Sequence, residues 1–587
     1  MSRLERWRET AARTHNRYHA WRAARARPAT AFRSAPEPRT VGSFARGRQL
    51  AAGNLMFAGH LVEAPGWSIW DVTAPDPAFE EEIHGCAWLD DLAAAADPRT
   101  RAVAQAWVWG WIDRFGDGSG PGWQPDLAGR RIIRWTHHAF FLLRGRTTEE
   151  SAAFHRALGA QTLYLARRWS ATLPGLARFE ALTGLLYAGL SLEGMDDQVE
   201  PARAALAREC ARIVDAEGGL ATRNPEDLLE VLTLLTWAAS ALDEGGSAPE
   251  PDHAEAIARI APTLRALRHA DGGLARFHGG GRGLEGRLDQ ALAAARVRRR
   301  PQRGLAMGFA RLAGGRTSLI VDATPPPSGP ASFNAHASTL AFELTSGRRP
   351  LIVNCGSGAI FGSEWRRAGR ATPSHSALCL DGYSSARLGK SGYVGAAPRE
   401  MLEDAPERVP VELKTLDDAY RFEGAHDGYA STHGLTHARM LDLAHDGRHL
   451  AGEDLLVAMG ARDKRLFDAR LTGAKLAGLP FQIRFHLHPE ADATLDMGGS
   501  AVSVALRSGE VWVFRHDGVA DLALEPSVYL EKGRLRPRAT KQIVLSGRAM
   551  EYATRVRWTL AKAHETEVAI RDLAPSVAED DDIEDAT

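Results

Sequence analysis

The hydrophobic periodicity of this chain changes once, near residue 300, and that single change constrains the fold more than any motif. Before it, segments such as AFHRALGAQTLYLARRW, ARFEALTGLLYAGLSLEG, VEPARAALARECARIVDA and PEDLLEVLTLLTWAASALDE place apolar residues at i, i+3, i+4 and i+7. That spacing lines one face of an α-helix, and Gly, Pro or N-cap residues bound each segment. After the basic stretch RRRPQRGL the texture turns to short runs, among them TSLIVDA, STLAFEL, PLIVNC, IRFHLH and VWVFRHDG. These are separated by Gly, Asp or Pro and follow the alternation of antiparallel strands packed as a sandwich. The sequence therefore predicts an all-α domain followed by an all-β domain. Antiparallel helices of this length close as a bundle, a superhelix or an α/α toroid, and periodicity alone leaves the three open.

Charge and composition exclude several classes of function. Seventy-two Lys and Arg against 73 Asp and Glu leave a net charge of −1, which argues against a nucleic-acid binder. No apolar run approaches the roughly 18 residues of a membrane span. The stretch MSRLERWRETAARTHNRYHAWRAARARPA is rich in Arg and poor in acids, so it reads as a basic helix suited to peripheral contact with an anionic membrane surface. It carries no apolar secretory core, which points to the cytoplasm or the inner membrane surface. Cys86, Cys210, Cys355 and Cys379 are too few for a disulfide scaffold and read as buried small hydrophobes. The C-terminal SVAEDDDIEDAT reads as an acidic disordered tail.

Some residue types suggest a carbohydrate site. Twelve of the 15 Trp precede residue 300, with Trp107, Trp109, Trp111, Trp123 and Trp135 clustered. Aromatic faces stack on sugar rings, and Arg forks pair with carboxylate or sulfate. In the second half, His336, Asn354 and His375 form a candidate zinc set of two imidazoles and one oxygen.

The layout resembles the heparinase II/III family of polysaccharide lyases, over roughly residues 100 to 550. The segments that carry the resemblance are GWQPDLAGRRIIRW, ARFEALTGLLYAGL, GGLATRNPEDLLEVL, HASTLAFELTSGRRPLIVNCGS, WRRAGRATPSHSALCLDG, AHDGY and THARML. The resemblance implies an N-terminal α/α toroid followed by a C-terminal antiparallel β-sandwich, with an acidic, uronate-containing polysaccharide in the cleft between them. The domain reading is then 1–45 basic helix and linker, 46–298 toroid, 299–573 sandwich and 574–587 tail. It also implies β-elimination: a group neutralises the uronate carboxylate, a base takes the C5 proton, and an acid protonates the leaving oxygen. His and Tyr do this work in the family, beside an Asn, and a zinc organises one loop. Export of family lyases makes the periplasm the alternative location.

Carried over residue by residue, that machinery is incomplete. An N-H pair of the family falls on Leu176 and Ala177, the His of its G-G-H segment on Leu220, and its catalytic Tyr on Asp227. The first His of H-x-H is Asn334, whereas the second is His336. The metal-binding Asp is Asn354, and the His of A-H-N-T is His375. If chemistry persists, the expected catalytic set is His336, His375, Tyr429 and Asn334. The expected substrate contacts are Arg223, Arg366, Arg370, Trp123, Trp135 and His138, with Arg367, His137 and His426 as further candidates. Two readings follow: a lyase with an altered acid–base set, or a degenerate glycan-binding protein of cell-envelope metabolism. A hydrolase using Glu180, Glu226 or Asp227 is a third. The departures predict low or no activity on heparin-type substrates.

Overall fold

The computed structural model of the chain describes residues 3–26, 31–34, 37–298, 304–380, 382–394 and 397–563. The acidic tail at 574–587 and most of RRRPQRGL lie outside the described residues. Helices run from Arg3–Ala24 to Arg287–Ala294, and the long antiparallel sheets begin at Phe309. Three helices form the inner frame: Pro125–His137, Leu176–Ser191 and Pro225–Glu244. In the second and third of these the apolar residues run right round the helix, because neighbours surround it. In Pro225–Glu244, the residues Leu228, Leu229, Val231, Leu232, Leu234 and Leu235 are all buried. The first two helices approach closely because glycines face each other: a Cβ on Gly184 would sit 2.6 Å from the Gly129 carbonyl oxygen. The third starts where it does because Asn224 caps it, accepting from the N–H groups of Glu226 (3.0 Å) and Asp227 (3.3 Å), with Pro225 in the first turn.

The second half is two antiparallel sheets packed face to face. One runs in the order Val411–Thr415, Ala419–Tyr429, Leu435–Ala444, His449–Val457, Ala553–Lys562, Val511–His516, Ala501–Ala505, Asp492–Asp496. The other runs Asp521–Tyr529, Arg538–Ala549, Leu479–Leu487, Arg349–Val353, Phe342–Ser346, Thr317–Asp322, Phe309–Gly314, with Leu378–Leu380 paired to Leu479–Leu487. Strict alternation builds the core: along Leu435–Ala444 every second residue is buried. Phe342 and Phe514 stack on Trp558 at its centre, and Phe485 meets Trp558 edge-on. A polar knot is threaded through this core. His437 meets Asp454 at 2.8 Å, and Arg439 donates to Asp454 and to the carbonyls of Leu340 and Ser376. All four cysteines are free and buried, as the sequence predicts. Among the described residues, no helix is long and apolar enough to cross a membrane.

Candidate functional site

Arg223 stands in the loop that leads into the Pro225–Glu244 helix, at φ +49°, a left-handed conformation that costs a non-glycine residue about 1 kcal/mol. Its side chain leaves the helical domain and enters the sandwich. It donates to the carbonyls of Met307 (3.1 Å), Gly308 (2.9 Å) and Pro325 (2.9 Å) and to Asp322 Oδ1 (2.5 Å). The guanidinium also lies over the Phe309 ring, 4.6 Å from its centre. Asp322 ends a strand in which all six residues are buried, and its other oxygen accepts from Ser338 Oγ at 2.7 Å. Burial opposes ionisation of Asp322, but Arg223 and then His278 hold its carboxyl well below the usual range.

A string of histidines continues from this pair. His278, also in the left-handed region at φ +48°, places Nε2 3.4 Å from Asp322 Oδ2. Its Nδ1 accepts from the His336 backbone N–H at 3.2 Å, so that ring is neutral with its proton on Nε2. His375 Nδ1 faces the Ala371 carbonyl at 2.9 Å and must donate, leaving Nε2 as an acceptor. His336 Nδ1 therefore donates to His375 Nε2, at 3.0 Å. Burial, foremost, keeps all three rings from charging. It lowers His278, lowers His336 well below its ordinary value with His375 adding to the effect, and brings His375 down to about 4. His278 and His375 have both ring nitrogens engaged, and the remaining nitrogen of His336, Nε2, belongs to a ring whose burial makes it a weak base.

Further contacts tie the two domains. His269 Nδ1 lies 3.0 Å from Ser318 Oγ, the Arg276 backbone N–H donates to Glu343 at 2.9 Å, and Lys532 pairs with Glu226. Glu226 also accepts from the Gly281 N–H at 2.8 Å.

The other residues singled out from the sequence fall into three groups. Arg366 donates to the Phe333 carbonyl (2.7 Å), and Arg370 to those of Ala335, Ser332 and Glu400 (each 2.8 Å). Both guanidinium groups brace the loop that carries His336, and Arg367 pairs with Glu400. Asn334 is half-buried and packs over Gly279, across the domain seam. Tyr429 lies elsewhere: it is wholly buried in the sandwich core, donates to the Leu378 carbonyl at 3.0 Å, and burial drives its phenol well above its ordinary value. His426, 3.2 Å from His437, belongs to the core knot.

In the helical domain the stacking platform expected of Trp123 and Trp135 is absent, because both rings are packed inward. Trp135 is stacked on Phe154, and Trp123 packs on Tyr164 and donates to the Phe115 carbonyl at 2.7 Å. His138 bonds Asp90 (2.9 Å) and Thr40 (3.0 Å), and His137 sits edge-on to Tyr187 and Trp237. Acids gather instead at the starts of the inner helices: Asp126, Glu180, Glu226, Asp227 and Glu230. Glu180 pairs with Arg130 (2.7 Å) and Glu230 with Arg287 (2.8 Å). Asp227 stands where the resemblance puts a catalytic tyrosine. Burial, then Glu226 and Glu230 working against Lys532, push its carboxyl up to about 7.

The proposed zinc set does not fit a cation well. His336 and His375 converge, but Asn354 Oδ1 is engaged by the Ser376 N–H (3.0 Å), and among the described residues no group of three or more His, Cys, Asp or Glu could hold a metal ion. His278, Asp322, Ser338 and Glu343 were not singled out from the sequence. The signal that could have found Asp322 is an acid that directly follows the apolar run Leu319, Ile320 and Val321 in the strand TSLIVD.

Residues 296–559 match the family model described as Heparinase II/III-like, C-terminal. The chain is 31% identical over 536 residues to FtsZ-localized protein C of Caulobacter vibrioides, covering 90% of this chain and 89% of that one. Its structure is similar to that of heparinase III, with a TM-score of 0.67 at 12% identity, covering 92% of this chain and 88% of the other. It is also similar to a heparan sulfate lyase of Pedobacter heparinus, with a TM-score of 0.57 at 13% identity, covering 94% and 88%. The toroid and sandwich expected from the sequence motifs are thus the architecture of the chain. It belongs to the heparinase II/III family.

Proposed function

We propose that this chain is a catalytically silent member of its lyase family, a binding and localisation component that works with the FtsZ division machinery at the inner face of the membrane. The observation that carries the reading is the use made of the polar side chains at the domain seam. Arg223 is spent on Asp322 and backbone carbonyls and is not left to neutralise a uronate, His278 and His375 have both ring nitrogens engaged, and burial holds His336 well below the basicity of a free imidazole. The acids at the starts of the inner helices add repulsion against a polyanion. The relative at 31% identity is named for its localisation with FtsZ, which supports a role in binding. The helix Arg3–Ala24 supports the membrane side: Tyr18 and Trp21 are 52% and 51% exposed, on a face shared with exposed Arg17, Arg22 and Arg25. Aromatic and basic residues on one helix face suit an anionic lipid interface.

One test is co-sedimentation of the purified full chain with GTP-assembled FtsZ polymers. Enrichment in the pellet only when polymers form is expected, and equal amounts with and without polymers would sink the reading. A second reading, a lyase with a rebuilt acid–base set, is favoured by one observation: Asp227 holds its proton up to about pH 7 at the position of the family's catalytic tyrosine. Turnover of a uronate polymer that Asp227→Asn abolishes would select it.

A further inference from the structure

We infer that a hydrogen bond takes the place of a metal ion between His336 and His375, and that Asn354 is the residue that keeps cations out. This rests on the seam geometry and holds whether or not the division-site reading does.

The approach of the two rings does not decide the matter alone. Nitrogens 3.0 Å apart suit a shared proton, and ligands 2.0–2.1 Å from one zinc would also come within about 3.3 Å of each other. The third residue decides it. The Ser376 backbone N–H, on a residue with no exposure, donates to Asn354 Oδ1 at 3.0 Å. That bond fixes which way the amide faces. Turning the amide over would set Nδ2 against the Ser376 N–H, donor against donor, and leave a buried N–H without an acceptor. The arm that remains is therefore Nδ2, which is buried with no acceptor of its own. An aspartate here, which the resemblance puts at this position as a metal ligand, would keep the Ser376 bond with one oxygen and free the other to ligate. Asparagine presents an N–H2 group, which cannot ligate.

Among the described residues no group of three or more His, Cys, Asp or Glu could hold a metal ion, so no neighbour makes up the deficit. His486 Nε2 must donate to the Pro373 carbonyl at 2.9 Å, which makes its Nδ1 the acceptor for Ser527 Oγ at 2.8 Å. Two neutral imidazoles fall short of the three protein ligands of an open zinc site and the four of a closed one. The loop that a metal would tie is tied by other means: His375 Nδ1 to Ala371, Arg370 to Ser332 and Ala335, and the His336 N–H to His278 across the seam.

The experiment measures zinc in the full-length protein by elemental analysis after dialysis, with zinc titration against a chromophoric chelator and thermal unfolding with and without EDTA. The wild type is expected to carry no stoichiometric zinc and to unfold at the same temperature with or without EDTA. Asn354→Asp is expected to gain about one equivalent of zinc and to be stabilised by it, and Asn354→Asp/His375→Gln to lose that gain. Stoichiometric zinc in the wild type, removed by His336→Gln or His375→Gln, would overturn the inference. So would an Asn354→Asp protein with a native circular dichroism spectrum that takes up none. The wild-type zinc content stands as a test even if the variant does not fold.

Discussion

Replacing Arg223 by Met removes the cation that joins the helical domain to the sandwich while keeping most of the side-chain bulk. Asp322 then remains as a carboxylate with no exposure, and the carbonyls of Met307, Gly308 and Pro325 lose their donor. Two estimates of the cost agree. Opposite unit charges about 4 Å apart at an effective dielectric near 20 attract by about 4 kcal/mol. Breaking a buried ion pair by deleting one partner costs about 3–5 kcal/mol. Arg223→Met is therefore expected to lower unfolding free energy by about 4 kcal/mol, read by urea denaturation of the full chain at pH 7.5. Asp322→Asn should cost a similar amount by stranding the guanidinium, and the double variant should cost about 3 kcal/mol less than the two losses summed. The pH dependence has a definite sign. A carboxyl held low in the folded state contributes stability above its unfolded pKa of about 3.9 and loses it as pH falls through the folded value. Arg223→Met should therefore narrow its deficit as the medium is acidified below about pH 4. A loss under about 1 kcal/mol, or simple additivity in the cycle, would refute the view that this pair clamps the seam.

Asp227 should behave in the opposite sense. Its folded pKa is raised to about 7, so it destabilises the protein progressively as pH rises from about 4 through 7. Asp227→Asn, discounted for partial exposure, is expected to gain about 1–2 kcal/mol at pH 8 and only about a third of that at pH 5. An equal effect at both pH values would show that the carboxyl is ordinary. Gly184→Ala should cost about 2–3 kcal/mol or block folding, because its Cβ would stand 2.6 Å from the Gly129 carbonyl oxygen, and backbone cannot step aside as a side chain can. An unchanged thermal midpoint would mean that the two helices are free to separate. Trp21→Glu should abolish flotation with anionic vesicles and leave neutral-vesicle binding at background; undiminished flotation would remove this helix from the membrane side of the account.

The two-domain architecture was legible because periodicity is a local signal: the apolar positions of PEDLLEVLTLLTWAASALDE and the alternation of LTHARMLDLA each need only their own window. The site was legible in part. His336 and His375 do meet, as their spacing in matching motifs implied. Their partners His278 and Asp322 come from other segments, and a pairing between residues so distant in the chain leaves no local trace. Arg223 is legible as a candidate but its partners are not, since an arginine that meets a ligand and one that pairs with a buried Asp322 look alike in sequence. Trp123, Trp135 and Tyr429 were misplaced for one shared reason. Large aromatic side chains gain most from full burial, and nothing in composition separates a sugar-stacking ring from a core ring.

The most direct test of the central claim is to incubate the purified full chain with heparin, heparan sulfate, chondroitin sulfate and other uronate polymers. The readout is the ultraviolet absorbance of the conjugated C4–C5 double bond that β-elimination creates. The account predicts no increase above a no-protein control with any of them, across pH 6 to 9. A steady increase that Asp227→Asn, His336→Gln or His375→Gln removes would contradict it and restore the chain to the working lyases of its family.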